Sequence, residues 1–289
     1  MISEKIRAYL KLTKPGVLFG NLLTTIAGFL YGSSDVIHWA EFIATVIGTT
    51  LVIGAACALN NYLDQDIDAK MKRTKSRPLI TGAVSPMGAL LFSIFLAISG
   101  MYILLQYTDV LVAWLGLTGF IVYVWLYGAF TKRKSLYGTL VGSVSGAIPI
   151  VAGYVAATHT IDLQAALLFL ILFFWQEPEF YSIAIYRRKE YKAAGVPVIS
   201  VIRGVKRTQK EIFIYTVLFV IASLLLGIVG FASYSYLVVM ALAGIYWILL
   251  GKKGLQTDNP DAWARSMFHT SLNILLLFCF MISIDRWLY

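Results

Sequence analysis

Nine apolar stretches, near 15–33, 39–60, 86–106, 109–130, 136–157, 163–186, 212–231, 235–250 and 268–285, approach the roughly 20 residues that a helix needs to cross a bilayer core. No soluble fold accommodates nine such runs. Of the 289 residues, 59% are hydrophobic and 13% charged, whereas a soluble domain carries about 25% charged residues. The pattern predicts an all-α, polytopic transmembrane bundle of nine helices, with residues 1–289 forming a single domain.

The connections alternate in charge. Those at 33–38, 106–109, 158–162 and 231–235 contain no Lys or Arg, while the N-terminal segment and the other connections hold 23 of the 24 basic residues. Only Arg286 falls on the opposite side. Positive charge flanking spans marks the cytosolic side, so the N-terminus and long loops are expected in the cytosol and the C-terminus outside. The net charge of +9 is therefore a topology signal, and the expected partner is the lipid bilayer, not nucleic acid. The opening "MISEKIRAYLKLTKPG" has no short apolar core with a cleavage site, so no signal peptide is expected. A bacterial cytoplasmic (inner) membrane is the expected location. Cys57 and Cys279 lie in apolar runs without disulfide or metal spacing. His38 and His159 fall in outside connections and His269 starts the ninth span, so none is well placed for chemistry.

The second apolar run ends in "NNYLDQDIDAKMKRTKSRP". Asn60, Asp64 and Asp68 recur every fourth residue, so a continuous helix sets them on one stripe rising about 6 Å per step, with Asp66 nearly opposite. Two carboxylates and an amide oxygen are hard ligands suited to Mg²⁺, which takes such groups with waters and substrate phosphate oxygens. Lys72, Lys75 and Arg77 follow, and Lys132 and Arg133 lie in a later basic loop; all are candidate phosphate contacts. Taken singly, Lys70, Lys72 and Arg73 fit a solvated loop equally well.

A second acidic group is stranger. Glu177 and Glu179 lie inside the sixth apolar run, about 15 Å of helix from its basic end at Arg187. Ionisable groups at such depth face a protein interior or wet cavity and are functional candidates. Pro178 between them should bend the helix. A helix continuing past Arg187 would put Glu190 and Tyr186 near the face of Glu179, although Glu190 also fits a solvated loop. Spans 2 and 6 run in the same direction, which suggests two parallel four-helix halves plus a ninth helix, both acidic groups meeting at one cytosolic mouth. Gly142 and Gly146 read as helix packing. An ion-coupled transporter would need acids spread across the membrane, whereas 10 of the 15 lie in the cytosolic half.

The stretch "NNYLDQDIDAKMKRTKSRPLITG" resembles the first aspartate-rich motif of the UbiA-type membrane prenyltransferase superfamily. "LTKPGVLFGNLLTTIAGF", "KRKSLYGTLVGSVSGAIP", "FYSIAIYRRKEYKAAGVPV" and "WARSMFHTSL" resemble its heme branch. The resemblance implies a nine-helix bundle with a central cavity open to the cytosol. There Mg²⁺ and farnesyl diphosphate would bind at Asn60, Asp64 and Asp68, with the second motif around Glu179 and Glu190 completing the site. Tyr181, Tyr186 and Arg187 would be further substrate contacts, and Tyr123, Tyr127, Phe174 and Trp175 are available to stabilise an allylic cation. The implied reaction joins farnesyl C1 to a vinyl group of protoheme IX, adds water and releases diphosphate. Heme A synthase or a terminal oxidase assembly would be the protein partners. A quinone-precursor or other lipid prenyltransferase uses the same Mg-diphosphate chemistry and is the alternative. This chain departs from the branch at Glu177-Pro178-Glu179, where "MPH" is expected, at Glu190, where aspartate is usual, and at Ile150 and Ile199-Ser200.

Overall fold

Lipid offers the backbone no hydrogen-bond partners, so each apolar run closes its own ladder as a helix. The computed structural model describes residues 2–33 and 36–288 and contains no strand among them. Residues 34 and 35, in the connection expected at 33–38, lie outside the described residues. Among those described, nine helices are long and apolar enough to cross a membrane, as the hydropathy pattern predicts. The chain is a multi-pass membrane protein.

α1 (Ile2–Leu12) precedes the first span, α2 (Pro15–Gly32), and then come α3 (Trp39–Leu63), the short α4 (Gln65–Asp68) and α5 (Pro86–Tyr107). The fourth span begins as α6 (Val110–Ile121), widens into a π-helix over Val122–Thr131 and ends in α7 (Lys132–Lys134). α8 (Gly138–Thr158), α9 (Leu163–Tyr186), α10 (Arg188–Ala194), α11 (Ile199–Ile202), α12 (Gly204–Ile228), α13 (Tyr234–Gly254) and α14 (Pro260–Ile284) complete the chain.

Local chemistry sets the ends. Proline opens α2, α5 and α14, where its missing N–H is not needed. Ser85, Asp109, Asp162, Ser233 and Asn259 each accept a backbone N–H from the first turn of the helix that follows. Two spans start earlier than hydropathy indicates: α12 at Gly204 rather than near 212, and α14 at Pro260 rather than near 268. Lys206, Arg207 and Lys210, and Asp261 and Arg265, make those first turns polar without breaking the helix. A third correction concerns the sixth span. Its helix breaks at Arg187, so Glu190 sits on the separate α10 and the shared face expected with Glu179 is lost.

α2 packs along α8, α8 along α9, α9 along α14, and α14 returns to α2, forming a closed ring of four helices. The α2–α8 contact is backbone-close. A Cβ on Gly28 would lie 2.0 Å from the Ile150 carbonyl oxygen, and one on Gly153 2.0 Å from that of Thr25. Lipid supplies no hydrophobic drive between helices, and small residues gain the contact by letting backbones touch. Large apolar side chains such as Phe95, Ile98 and Leu242 remain exposed on the outer surface, as lipid contact requires.

Candidate active site

α3 ends at Leu63, yet the chain keeps its helical bonding through the aspartate motif. The Asp64 N–H donates to the Asn60 carbonyl at 3.0 Å and the Asp68 N–H to the Asp64 carbonyl at 2.8 Å. Asn60, Asp64 and Asp68 therefore stay on one stripe, all buried. Asp66 points away, exposed, and takes two hydrogen bonds from Arg133 at 2.7 and 2.8 Å. That guanidinium holds the Asp66 carboxyl down at about 2.

Each member of the stripe takes a hydrogen bond from one cation. The Lys14 ammonium donates to Asn60 Oδ1, Lys132 to Asp64 Oδ2 and Arg77 to Asp68 Oδ2. Arg133 stands 3.8 Å from the other oxygen of Asp64, too far to hydrogen-bond, and that Oδ1 is buried without a hydrogen-bond partner. Lys14 is half-buried at the start of α2 in a left-handed conformation, φ 52°. Burial lowers its ammonium to about 8.

A cavity of about 780 Å³ opens below the stripe, within the size range of small-molecule sites. Its end near the basic loops is lined by Lys14, Asn60, Asp68, Arg73, Arg77 and Lys132, while its depth is largely apolar, including Phe120, Ile148, Trp175 and Leu275. Tyr123 and Tyr127 line it close to the cations, their ring centroids 5.7 Å apart. The Lys14 and Lys132 ammonium groups lie 5.9 and 5.8 Å from those rings. The π-helix carries both tyrosines and delivers Lys132 to Asp64. Such wide turns recur at functional sites.

Glu179 lines the same cavity. Glu177 does not: it is fully buried, and its Oε1 accepts from Ser143 Oγ at 2.7 Å. Gly142 and Gly146 pack as expected and also line the cavity. A Cβ on Gly146 would meet Gln176 Oε1 at 1.9 Å, and one on Gly142 the Tyr127 ring at 3.3 Å.

Other sequence candidates lie elsewhere: Asp64, fully buried against Lys132, and Arg133 do not line the cavity. Lys72 and Lys75 are exposed and are not part of the cavity lining. Glu190 pairs with Arg187 at 3.0 Å, and neither residue lines the cavity. Tyr181 is buried against Tyr215, while Tyr186 packs beneath Arg265 and Arg187. Phe174 also stays outside the lining, packed on Phe173 and Tyr215. Two cations that line the cavity, Lys14 and Arg73, were not among the phosphate contacts read from sequence. Lys14 carried a signal, a lone cation placed directly before the proline that opens the first span.

A model described as the UbiA prenyltransferase family matches residues 21–273. Relatives from Edwardsiella ictaluri and Photorhabdus laumondii, each named protoheme IX farnesyltransferase, are 43% and 44% identical over 97% of this chain and 95% of their own lengths. Among solved structures, a digeranylgeranylglyceryl phosphate synthase superposes with a TM-score of 0.82 at 20% identity, covering 98% of both chains. A UbiA homolog from Archaeoglobus fulgidus bound to GPP and Mg²⁺ superposes with a TM-score of 0.72 at 16% identity, covering 96% of this chain and 99% of the other.

Proposed function

The chain belongs to the UbiA prenyltransferase family, and on that footing we propose that it transfers the farnesyl group of farnesyl diphosphate to a vinyl group of protoheme IX, with addition of water, giving heme O and diphosphate. The observation that carries this assignment is the likeness, at 43% identity over 97% of the chain, to relatives named for the transfer.

The C1–oxygen bond of an allylic diphosphate breaks when charge on the leaving group is neutralised. Lys14, Arg73, Arg77 and Lys132 line one end of the cavity and would meet that charge as it develops in a site of low dielectric. Arg77 and Lys132 must first loosen from Asp68 and Asp64, which frees both carboxylates as the diphosphate enters. Asn60, Asp64 and Asp68 would hold Mg²⁺: two carboxylates and an amide oxygen, with Asp64 Oδ1 already lacking a hydrogen bond, fit an ion that completes its shell with phosphate and water. Bound there, the ion supplies Lewis-acid neutralisation of the diphosphate.

Tyr123 and Tyr127 would face the allylic cation, each such contact being worth about 2 kcal/mol when desolvated. The apolar walls keep bulk water from its carbons. The vinyl π electrons form the bond to C1, leaving positive charge on the carbon next to the porphyrin. A water oxygen bonds there, and its proton leaves with the diphosphate.

We place the chain in the bacterial cytoplasmic membrane with its N-terminus and basic loops in the cytosol, so that the cationic end of the cavity faces that side. The test is direct. The purified chain is given labelled farnesyl diphosphate and Mg²⁺ with either protoheme or a phenolic quinone precursor. The hydroxyethylfarnesyl adduct of heme is the expected product by mass analysis. A prenylated phenol without prenylated heme would reject the acceptor.

A further inference from the structure

Glu179 stands on α9 seven residues before the helix ends at Tyr186, about 10 Å of helix into the bundle. It is half-buried and lines the cavity, and among the described residues it makes no hydrogen bond and no ion pair. The acids of the aspartate stripe differ, because Asp64 and Asp68 each hold a cation. The polar neighbours of Glu179 are also committed. Gln176 donates to the Ser143 and Leu172 carbonyls, and the Trp175 indole donates to the Ser271 carbonyl. A carboxylate at membrane depth without a partner is costly and marks a site where a partner arrives.

Of the two proposed substrates, farnesyl diphosphate keeps its charge at the end of the cavity where Lys14, Arg77 and Lys132 lie. The allylic cation forms at C1, beside Tyr123 and Tyr127 near that same end, so protoheme alone brings a metal ion, the iron at the centre of its ring, into the depth. We infer that Glu179 is an axial ligand of the acceptor's iron, an assignment that rests on the acceptor proposed above. As the ring binds, the carboxyl releases its proton to water at the open end of the cavity and one of its oxygens gives a lone pair to the metal; no electron is transferred, and the ring is fixed with its rim directed toward the diphosphate end. Haem iron accepts anionic oxygen ligands. The competing donors stand at the diphosphate end or are packed away: the Tyr123 and Tyr127 rings lie 5.9 and 5.8 Å from the Lys14 and Lys132 ammonium groups, and Met71 and Tyr191 belong to the cluster of Ile67, Ala194 and Val196. Cys57 lines the cavity but is 1% exposed.

The experiment titrates the full-length protein and Glu179→Gln, in detergent, with ferric protoheme and separately with metal-free protoporphyrin IX. We expect Glu179→Gln to weaken protoheme binding by at least about tenfold, since loss of even an outer partner of a metal ligand costs that much. Binding of the metal-free ring should be unchanged, which also reports that the variant is folded. Glu179→His should shift the absorption bands to those of imidazole-bound heme. Equal losses for both porphyrins, or an unaltered affinity and spectrum in Glu179→Gln, overturn ligation by Glu179. So does a Cys57→Ser variant that alone loses the wild-type bands. A wild-type protein that binds neither porphyrin, yet prenylates a phenol, rejects the proposed acceptor instead.

Discussion

Lys132 reaches back 68 positions along the chain to donate to Asp64, closing one oxygen of that carboxylate while the other stays buried and unpaired. The pair sits where the π-helix hands over to α7 and α3 gives way to α4. With the Arg133 hydrogen bonds to Asp66 beside it, this contact joins the aspartate motif to the basic loop of the fourth span. It also keeps a doubly functional carboxylate neutralised until a polyanion competes for the lysine.

Asp64→Ala and Asp68→Ala should each lower kcat/KM for farnesyl diphosphate by about 10²–10³-fold or more, the loss typical of a group that stabilises developing charge. Membrane insertion should be unaffected, as judged by fractionation and detergent gel filtration. Retained turnover in both variants would remove the diphosphate site from this stripe.

Lys132→Met strands a carboxylate with no exposed surface, because the Asp64 side chain is 0% exposed and that of Lys132 17%. Breaking a buried pair from one side costs about 3–5 kcal/mol, and Arg133 at 3.8 Å offsets part of it. We expect a loss of about 2–3 kcal/mol in detergent unfolding, largely recovered in Lys132→Met with Asp64→Asn. Activity should not return in the double variant. Stability that fails to recover would show that Lys132 acts through packing.

Gly153→Ala should destabilise more than Gly146→Ala. The new methyl group at 153 meets the Thr25 backbone oxygen at 2.0 Å, and a backbone cannot rotate away. At 146 the obstacle is the Gln176 amide at 1.9 Å, which can swing aside by giving up its hydrogen bonds to Ser143 and Leu172. Overpacking costs about 1–3 kcal/mol, and thermal denaturation should rank 153 above 146.

Lys14 sets a pH dependence. Its ammonium, lowered to about 8 by burial, loses its proton as pH rises through that value. KM for farnesyl diphosphate should therefore climb between pH 7.5 and 9 in the wild type and stay flatter in Lys14→Met. Stability moves the other way. A folded-state value below the unfolded one of 10.5 means that the unfolded chain binds the proton more tightly, so the folded state gains as pH rises from about 8 toward 10.5. Below pH 8 the full cost of burying the charge is present. A flat KM in the wild type would remove Lys14 from the diphosphate site.

The nine spans and the Asn60–Asp64–Asp68 stripe were legible in the sequence because both rest on short-range rules, apolar length and helical period. What escaped depends on where helices begin and on contacts between distant segments. Hydropathy measures the length buried in lipid, not the length of helix, so the charged first turns of α12 and α14 were assigned to loops. The break at Arg187 has no proline or glycine to announce it, and it removes Glu190 from the helix of Glu179. Lys14 and Arg73 join the cavity because tertiary packing brings α2 and the 70s loop around α3. Counting positive charges for topology treats every cation alike and cannot separate these two from Lys72 and Lys75.

The touch between α2 and α8, at Gly28 against Ile150 and Gly153 against Thr25, lies near the end of the bundle remote from Lys14. Backbone pressed on backbone leaves no slack there, so a tilt of α2 about that seam moves its Pro15 end most. From Gly28 back to Pro15 is about 20 Å of helix, and a tilt of about 5° would shift the Pro15 end by about 2 Å while the far end stays shut. A movement of that size loosens the cationic mouth, while the membrane keeps its seal against ions at the far end.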